Sequence, residues 1–454
     1  MPARAREGNA GRQLGAAVAC GDFGVTSSLE MLRVALIAFA LAASFAGGLS
    51  LRAEDFQGAT HAVPYDEAPI KYSAATPDDP IARLQARLDA GETKLKFDNE
   101  LGWLPSLLDA LKVPKSSQML VFSKTSLQRT YITPQNPRAI YFSDDVYLGY
   151  IPGAPVMEIS AVDPKLGGTF YSIEQLPARR PKFTRESDCL RCHASARSLG
   201  VPGHLVRSIA TDETGELDAQ NEFSPIDHCT PFAERWAGWY VPGTHGAQAH
   251  RGNLIGKAAF AAFETEPLAK GNLRVLDEFV DVKKYPEAGS DIVALMVLEH
   301  QAKMHNYITR LNYETQTMLA TYGHTRYLKS QVNAFLRYLL FTEEAPLTAP
   351  VSGNAAYVQE FTAMGPRDSK GRSLRDFDLQ TRLFKHPCSF LIYSEAFDQL
   401  PAPMREHLLQ RLWDILTEKD QTPEFAALTA ERRRAILEIL RETMPALPDY
   451  WRDS

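Results

Sequence analysis

The chain has 454 residues, of which 44% are hydrophobic and 23% are charged, which is the composition of an ordinary globular protein. This length corresponds to about two or three domains. The formal net charge of −6 provides no broad basic surface for nucleic acid and no polybasic patch for a membrane. We therefore expect a folded protein that has no nucleic-acid partner.

Residues 31–53 have the pattern of an export signal. Met31 and Arg33 precede an apolar run over residues 34–46, and a small-residue exit ends at Ala53. The run is short for a membrane span, which needs about 20 residues. We predict cleavage after Ala53, no membrane span in the mature chain, and a periplasmic or otherwise exported location. An uncleaved signal that anchors the chain is the alternative. The polar segment before Met31 is interpreted as upstream sequence from an incorrect start codon rather than an unusually long leader.

The first half of the mature chain has the pattern of strands. After an extension over residues 54–117, with short helices predicted at 81–88 and 101–111, five short runs are rich in β-branched and aromatic residues. Proline, glycine, aspartate and asparagine separate them, so one antiparallel sheet is predicted. The five runs are residues 119–122, 139–142, 146–151, 156–159 and 169–173. A loop-rich stretch follows, and residues 118–270 form the predicted strand-rich region.

Over residues 271–454, apolar residues recur at the spacing of helices. Helices are predicted at 291–319, 330–341, 382–396, 403–417 and 430–443, with a short one inside 353–372. The predicted fold class is therefore α+β, with a strand-rich N-terminal part and a helical C-terminal part around a loop-rich site.

The most specific pattern in the sequence is Cys189 and Cys192, spaced by two residues, with His193 directly after them. At this spacing two thiols form thioethers with neighbouring vinyl groups of one haem, and the next residue lies below the ring. The motif resembles that of c-type cytochromes. This resemblance implies one covalently attached haem c, with His193 as the proximal iron ligand.

Zinc and a redox dithiol are the alternatives for this motif. A zinc site would need a second pair of ligands at motif spacing, and the sequence has none. A redox dithiol would follow a strand, whereas residues 183–188 do not have a strand pattern. Pairing of Cys229 with Cys388 stays open, because connectivity cannot be read from sequence.

The residue on the other side of the iron decides whether a haem carries electrons or binds small molecules. We predict His245 as this distal ligand, because Gly243 and Gly246 would let the backbone approach the ring closely. His250 is the second candidate. The further histidines considered are His204, His228, His300 and His305.

A second, broader resemblance covers residues 120–126, 235–245 and 385–397. These segments resemble large exported bacterial proteins described only as cytochrome c domain-containing, a family with no assigned reaction. The usual small cytochrome c domain is helical and carries its motif near its start. The resemblance to c-type cytochromes therefore covers the attachment motif and not the fold.

The predicted role is electron transfer by an exported monohaem cytochrome that meets a redox partner protein. One alternative is a haem-dependent oxidoreductase, either peroxidase-like or acting on a small nitrogen compound. Another is a haem sensor or a subunit of a redox complex. A di-haem peroxidase would need a second CxxCH motif, which the sequence does not contain.

Overall fold

The computed structural model of the chain describes residues 63–218 and 224–452. The predicted export signal and the residues before it lie outside these ranges. Within the described part of the chain, no helix is both long enough and apolar enough to cross a membrane.

The strand-rich part contains a seven-stranded antiparallel sheet, as the sequence predicted. Its order is β6-β5-β4-β3-β2-β1-β9, and β7 pairs with β8 in a separate small ribbon. The strands are β1 (Met119–Val121), β2 (Arg138–Phe142), β3 (Val146–Tyr150), β4 (Val156–Asp163), β5 (Gly167–Glu174), β6 (Thr184–Arg185), β7 (Arg207–Ser208), β8 (Ser224–Pro225) and β9 (Trp239–Tyr240). The two edge strands, β6 and β9, have only two residues each, and both fall in segments that were not predicted as strands.

Helices account for most of the regular structure after the sheet, and two short ones precede it. They are α1 (Pro80–Asp89), α2 (Leu104–Ala110), α3 (Leu190–His193), α4 (Gly256–Phe263), α5 (Ile292–Tyr322), α6 (Lys329–Leu339), α7 (Ala355–Ala363), α8 (Glu395–Asp398), α9 (Ala402–Leu416) and α10 (Ala430–Thr443). The α+β class is thereby confirmed. All the residues that the structure describes belong to one compact unit, and the predicted boundaries at 117 and 270 lie within it.

The sheet lies between two sets of helices, because alternate residues of a strand point to opposite faces. One face packs against α1 and α2 in a buried apolar cluster that includes Leu120, Tyr141, Leu148 and Ile159. The other face contributes Met119, Phe142, Tyr147 and Val162 to the cluster that contains α5. The Gln301 side chain of α5 donates a 2.9 Å hydrogen bond to the Tyr147 hydroxyl, which ties this helix to the sheet.

The central element of the helical part is α5, which is 31 residues long and buried on nearly all sides. The Asp291 carboxylate begins it by accepting a 2.7 Å hydrogen bond from the Ala294 amide. Gly323 ends it with a φ of 70°, a conformation that glycine adopts without strain. Its buried residues include polar ones such as Glu299, Gln301 and Asn306, so the helix does not have a single apolar stripe.

One predicted helix is wrong. Residues 382–396 form a 3₁₀ turn at Phe390–Tyr393, followed by the separate short helix α8. Pro387 lies inside the predicted segment, has no N–H to donate and disfavours a helical conformation at the residue before it. Ser394 then accepts a 3.2 Å hydrogen bond from the Phe397 amide and starts a new helix.

Candidate functional site

A cavity of about 500 Å³ lies on the part of the sheet face that α5 leaves uncovered. The strands β2 to β5 contribute Arg138, Ile140, Gly149, Glu158 and Phe170 to its wall, and α5 contributes Leu298 and Ala302. Three residues of the CxxCH motif line the same cavity, namely Cys189, Cys192 and His193. The motif therefore borders this cavity, while Cys192 is also exposed to solvent.

The motif forms a single helical turn. Cys189 directly precedes α3, and its carbonyl accepts a 2.9 Å hydrogen bond from the His193 amide. Residues three apart in a helical turn lie on the same side, which brings Cys189 and Cys192 to one side of the turn. Cys189 is half-buried and Cys192 is exposed, and both are free thiols. Burial raises the pKa of the Cys189 thiol to about 11, so this group is protonated at neutral pH.

The His193 ring is held in one orientation and one protonation form. Its Nδ1 lies 2.9 Å from the carbonyl oxygen of Gly203, which can only accept, so Nδ1 carries the proton. Nε2 is then the nitrogen that presents a lone pair. Burial lowers the pKa of His193 to about 4, which keeps the ring neutral. A neutral imidazole with its second nitrogen bonded to a carbonyl is the usual form of a metal-binding histidine.

Helix α5 fixes the Gly203 carbonyl through Asn306. The Asn306 amide accepts a 2.8 Å hydrogen bond from the His204 N–H and donates one of 2.7 Å to the His204 carbonyl. A Cβ atom at Gly203 would lie only 2.1 Å from Asn306 Oδ1, so a side chain there would displace this contact. The segment that orients His193 is thus clamped against the central helix.

Replacing Asn306 with alanine is expected to destabilise the protein by roughly 2–4 kcal/mol, because both buried backbone groups of His204 lose their partner. Asn312→Ala on the same helix is the matched control. Its amide donates a longer bond of 3.3 Å to the Lys165 carbonyl and accepts one of 3.0 Å from the partly buried Gln316 side chain, and its removal is expected to cost about 1 kcal/mol. Urea unfolding of both variants measures the difference. Equal losses for the two variants would show that Asn306 does not act as a clamp.

The two predicted distal ligands lie elsewhere. His245 and His250 form a buried pair with ring centroids 4.5 Å apart, and neither is among the residues that line the cavity. Both nitrogens of His245 are already used, with Nδ1 2.5 Å from the Gln248 carbonyl and Nε2 accepting from the Asn272 amide at 2.7 Å. The structure therefore does not bring the predicted distal ligands to the predicted proximal one.

The glycines around His245 explain why it lies in the protein interior instead of at the cavity. A Cβ atom at Gly243 would lie 2.3 Å from the Ile292 side chain, and one at Gly246 would lie 2.7 Å from Ala349. The close approach that these glycines allow is an approach of the chain to itself and not to a porphyrin.

Of the other histidines considered, only His204 lines the cavity. Its Nε2 lies 3.0 Å from the Ser160 hydroxyl, and its buried Nδ1 has no partner within the described part of the chain. His228 and His300 face each other in the core with their Nδ1 atoms 2.8 Å apart. His305 Nε2 lies 2.8 Å from the Asp144 carbonyl. These three are held by contacts within the protein.

The remaining cysteines and the acidic side chains bear on the possible disulfide and on a metal site. Cys388 is a buried free thiol and does not pair with Cys229. Over residues 63–218 and 224–452, no group of three or more histidine, cysteine, aspartate and glutamate side chains is arranged to hold a metal ion.

Comparisons with protein-family models, with curated proteins and with solved structures found no match to this chain. The chemistry of the site is therefore inferred from its own residues. The Gly203 carbonyl, the Asn306 clamp and the charged residues of the cavity wall were not predicted. The Pro-Gly-His sequence at 202–204 was the only signal near them, and its partners are distant in the chain.

Proposed function

We propose that Cys189 and Cys192 attach one haem c, that His193 is its proximal iron ligand, and that the protein is an exported monohaem cytochrome taking part in electron transfer. The observation that carries this proposal is the hydrogen bond from His193 Nδ1 to the Gly203 carbonyl, which leaves Nε2 available beside both thiols. When bound, the haem iron would supply the one-electron exchange with a redox partner protein.

The cavity is compatible with this group. Its volume of about 500 Å³ falls within the range of roughly 300–1,000 Å³ that is typical of ligand and cofactor sites. Apolar side chains such as Ile140, Phe170 and Leu298 would contact the porphyrin, and cationic side chains on the wall would meet its propionates. The thiols of the motif lie in the same wall.

The position of His245 and His250 favours the second candidate function, a haem-dependent oxidoreductase or sensor. Because both lie outside the cavity, neither is placed to fill the sixth iron position. His204 lines the cavity, but it belongs to the segment that orients His193 and its Nε2 faces Ser160. An iron with an open sixth position would bind a peroxide or a small nitrogen compound.

Expression and export of the chain in a host that attaches haem c tests the proposal. We expect the wild-type protein to retain a haem absorption spectrum after denaturation and to gain the mass of one haem. Cys189→Ala with Cys192→Ala should lose both signals, because no thioether can form. Cys388→Ala is the matched control, since it removes a thiol far from the motif in sequence and should leave attachment unchanged. Wild-type protein without covalent haem would contradict the proposal.

Carbon monoxide separates the two candidate functions in the haem-loaded protein. A reduced spectrum that does not respond to carbon monoxide would indicate two filled axial positions and an electron carrier. A rapid spectral change would indicate an open position and favour the oxidoreductase or sensor. The proposed role in electron transfer predicts no response, and a response would favour the second candidate.

A further inference from the structure

The wall of the cavity carries more positive than negative charge. Four cationic side chains and two carboxylates line it, which leaves an excess of two positive charges. The cations are Lys124, Arg129, Arg138 and Arg207, and the carboxylates are Glu158 and Asp188. The protein as a whole has a net charge of −6, so this local excess is opposite to the overall charge.

Most of these charges have partners or face solvent. Arg138 forms a 2.8 Å ion pair with Glu158, whose other oxygen accepts a 2.6 Å hydrogen bond from the Ser126 hydroxyl. Lys124 lies 3.1 Å from a carboxylate oxygen of Glu216. Arg129 is exposed to solvent, which screens its charge.

Arg207 differs from the others. It is half-buried, and its guanidinium has no hydrogen-bonding or ion-pair partner among residues 63–218 and 224–452. Burial lowers the pKa of Arg207, Cys192 opposes this shift, and the like charges of Arg197 and Arg138 add to it. Arg207 and Arg138 also both line a smaller cavity of about 80 Å³ beside Cys192 and His193. A bound anion would stabilise a half-buried guanidinium that lies near other positive charges.

We propose that Arg207 binds a carboxylate or a small oxyanion in this cavity. The planar guanidinium presents paired N–H donors that match the two oxygens of such a group. A bound anion would also relieve the repulsion between Arg207 and Arg138. The site lies beside the residues proposed to hold haem. If the anion is a haem propionate, this inference rests on the proposed function.

Two sources can supply this chemistry. One is a propionate of the attached haem, in which case Arg207 anchors the cofactor and raises its reduction potential. The other is a free anion, which would be a substrate or an effector that enters the cavity. Arg207→Gln removes the charge and most of the donors. Arg197→Gln is the matched control, because Arg197 is an exposed nearby arginine that does not line the cavity.

The test compares wild type and both variants as haem-loaded proteins. If a propionate is the anion, Arg207→Gln should lower the reduction potential more than Arg197→Gln, and it should shift the propionate bending vibration in the resonance Raman spectrum. If a free anion is bound, acetate should change the wild-type visible spectrum in a saturable way. Arg207→Gln should then weaken acetate binding by about tenfold or more. Variants that behave alike in all three measurements would overturn the proposal.

Failure of haem attachment is distinguishable from failure of the anion site. If the wild-type protein carries no covalent haem, the proposed function fails, and the anion site is judged on the haem-free chain. Acetate should then raise the thermal unfolding midpoint of wild type and of Arg197→Gln, but not that of Arg207→Gln. No rise in wild type would overturn the anion site as well.

Discussion

Replacing Gly149 with leucine is expected to abolish covalent haem attachment while the chain still folds. Gly149 lies in β3 between Ile140 and Glu158 on the neighbouring strands, and it lines the cavity. A Cβ atom there would meet its nearest neighbours at 3.4 Å and 3.6 Å, which are ordinary contacts. The backbone thus accepts a side chain, but the remaining atoms of leucine would extend over the sheet face where the porphyrin is proposed to lie.

The haem content of exported Gly149→Leu, measured under denaturing conditions, checks this expectation. Far-ultraviolet circular dichroism and the unfolding midpoint should stay close to those of the haem-free wild-type chain. Gly289→Leu is the matched control, since a Cβ atom at Gly289 meets nothing within 4 Å and the residue lies outside the cavity. It should keep its full haem content. A Gly149→Leu protein with full haem content would place the haem elsewhere.

The sheet was predictable because its determinants are local. Runs of β-branched and aromatic residues separated by turn-forming residues specify these strands, and β3, β4 and β5 contain the predicted runs. The glycine pair before the last run begins β5 itself, and the turn precedes it. The edge strands β6 and β9 were not predictable, since two residues carry no pattern. The apolar spacing of 382–396 predicts one helix, but Pro387 within this segment interrupts helical structure, and the structure has a 3₁₀ turn and a separate short helix there.

That Cys189, Cys192 and His193 line one cavity could be expected for a similar reason, because they lie within five residues. Their role in haem attachment stays a prediction. What orients His193 depends on contacts across the fold. Asn306 is 102 residues beyond His204, and nothing local to either residue indicates that they meet. The sequence likewise does not distinguish Arg207 from the other arginines. Only the structure shows that it is half-buried and has no partner among the described residues.

His245 illustrates the opposite error. Flanking glycines indicate a close approach, but they do not indicate what approaches. Here the neighbours are Ile292 and Ala349, and the ring nitrogens of His245 are bonded to backbone groups. A histidine between glycines was therefore a sign of tight packing within the protein rather than of ligation.

Replacing Arg235 with methionine is expected to destabilise the protein by about 3–5 kcal/mol, because it leaves a buried carboxylate without its counter-charge. Arg235 is 2% exposed and Glu299 is 1% exposed, and their side chains meet at 2.5 Å. The Trp236 indole donates a 2.8 Å hydrogen bond to the other Glu299 oxygen. This network joins α5 to the segment that leads into β9, and both line the candidate haem cavity through Leu298 and Trp239.

Urea unfolding of Arg235→Met, Glu299→Met and the double variant measures the coupling. The double variant should recover much of the loss, since no buried charge is then left uncompensated. Lys284→Met removes a solvent-exposed pair with Asp281 at 3.9 Å, and it should change stability by less than about 1 kcal/mol. If Arg235→Met cost no more than Lys284→Met, the buried pair would not hold α5 against this segment.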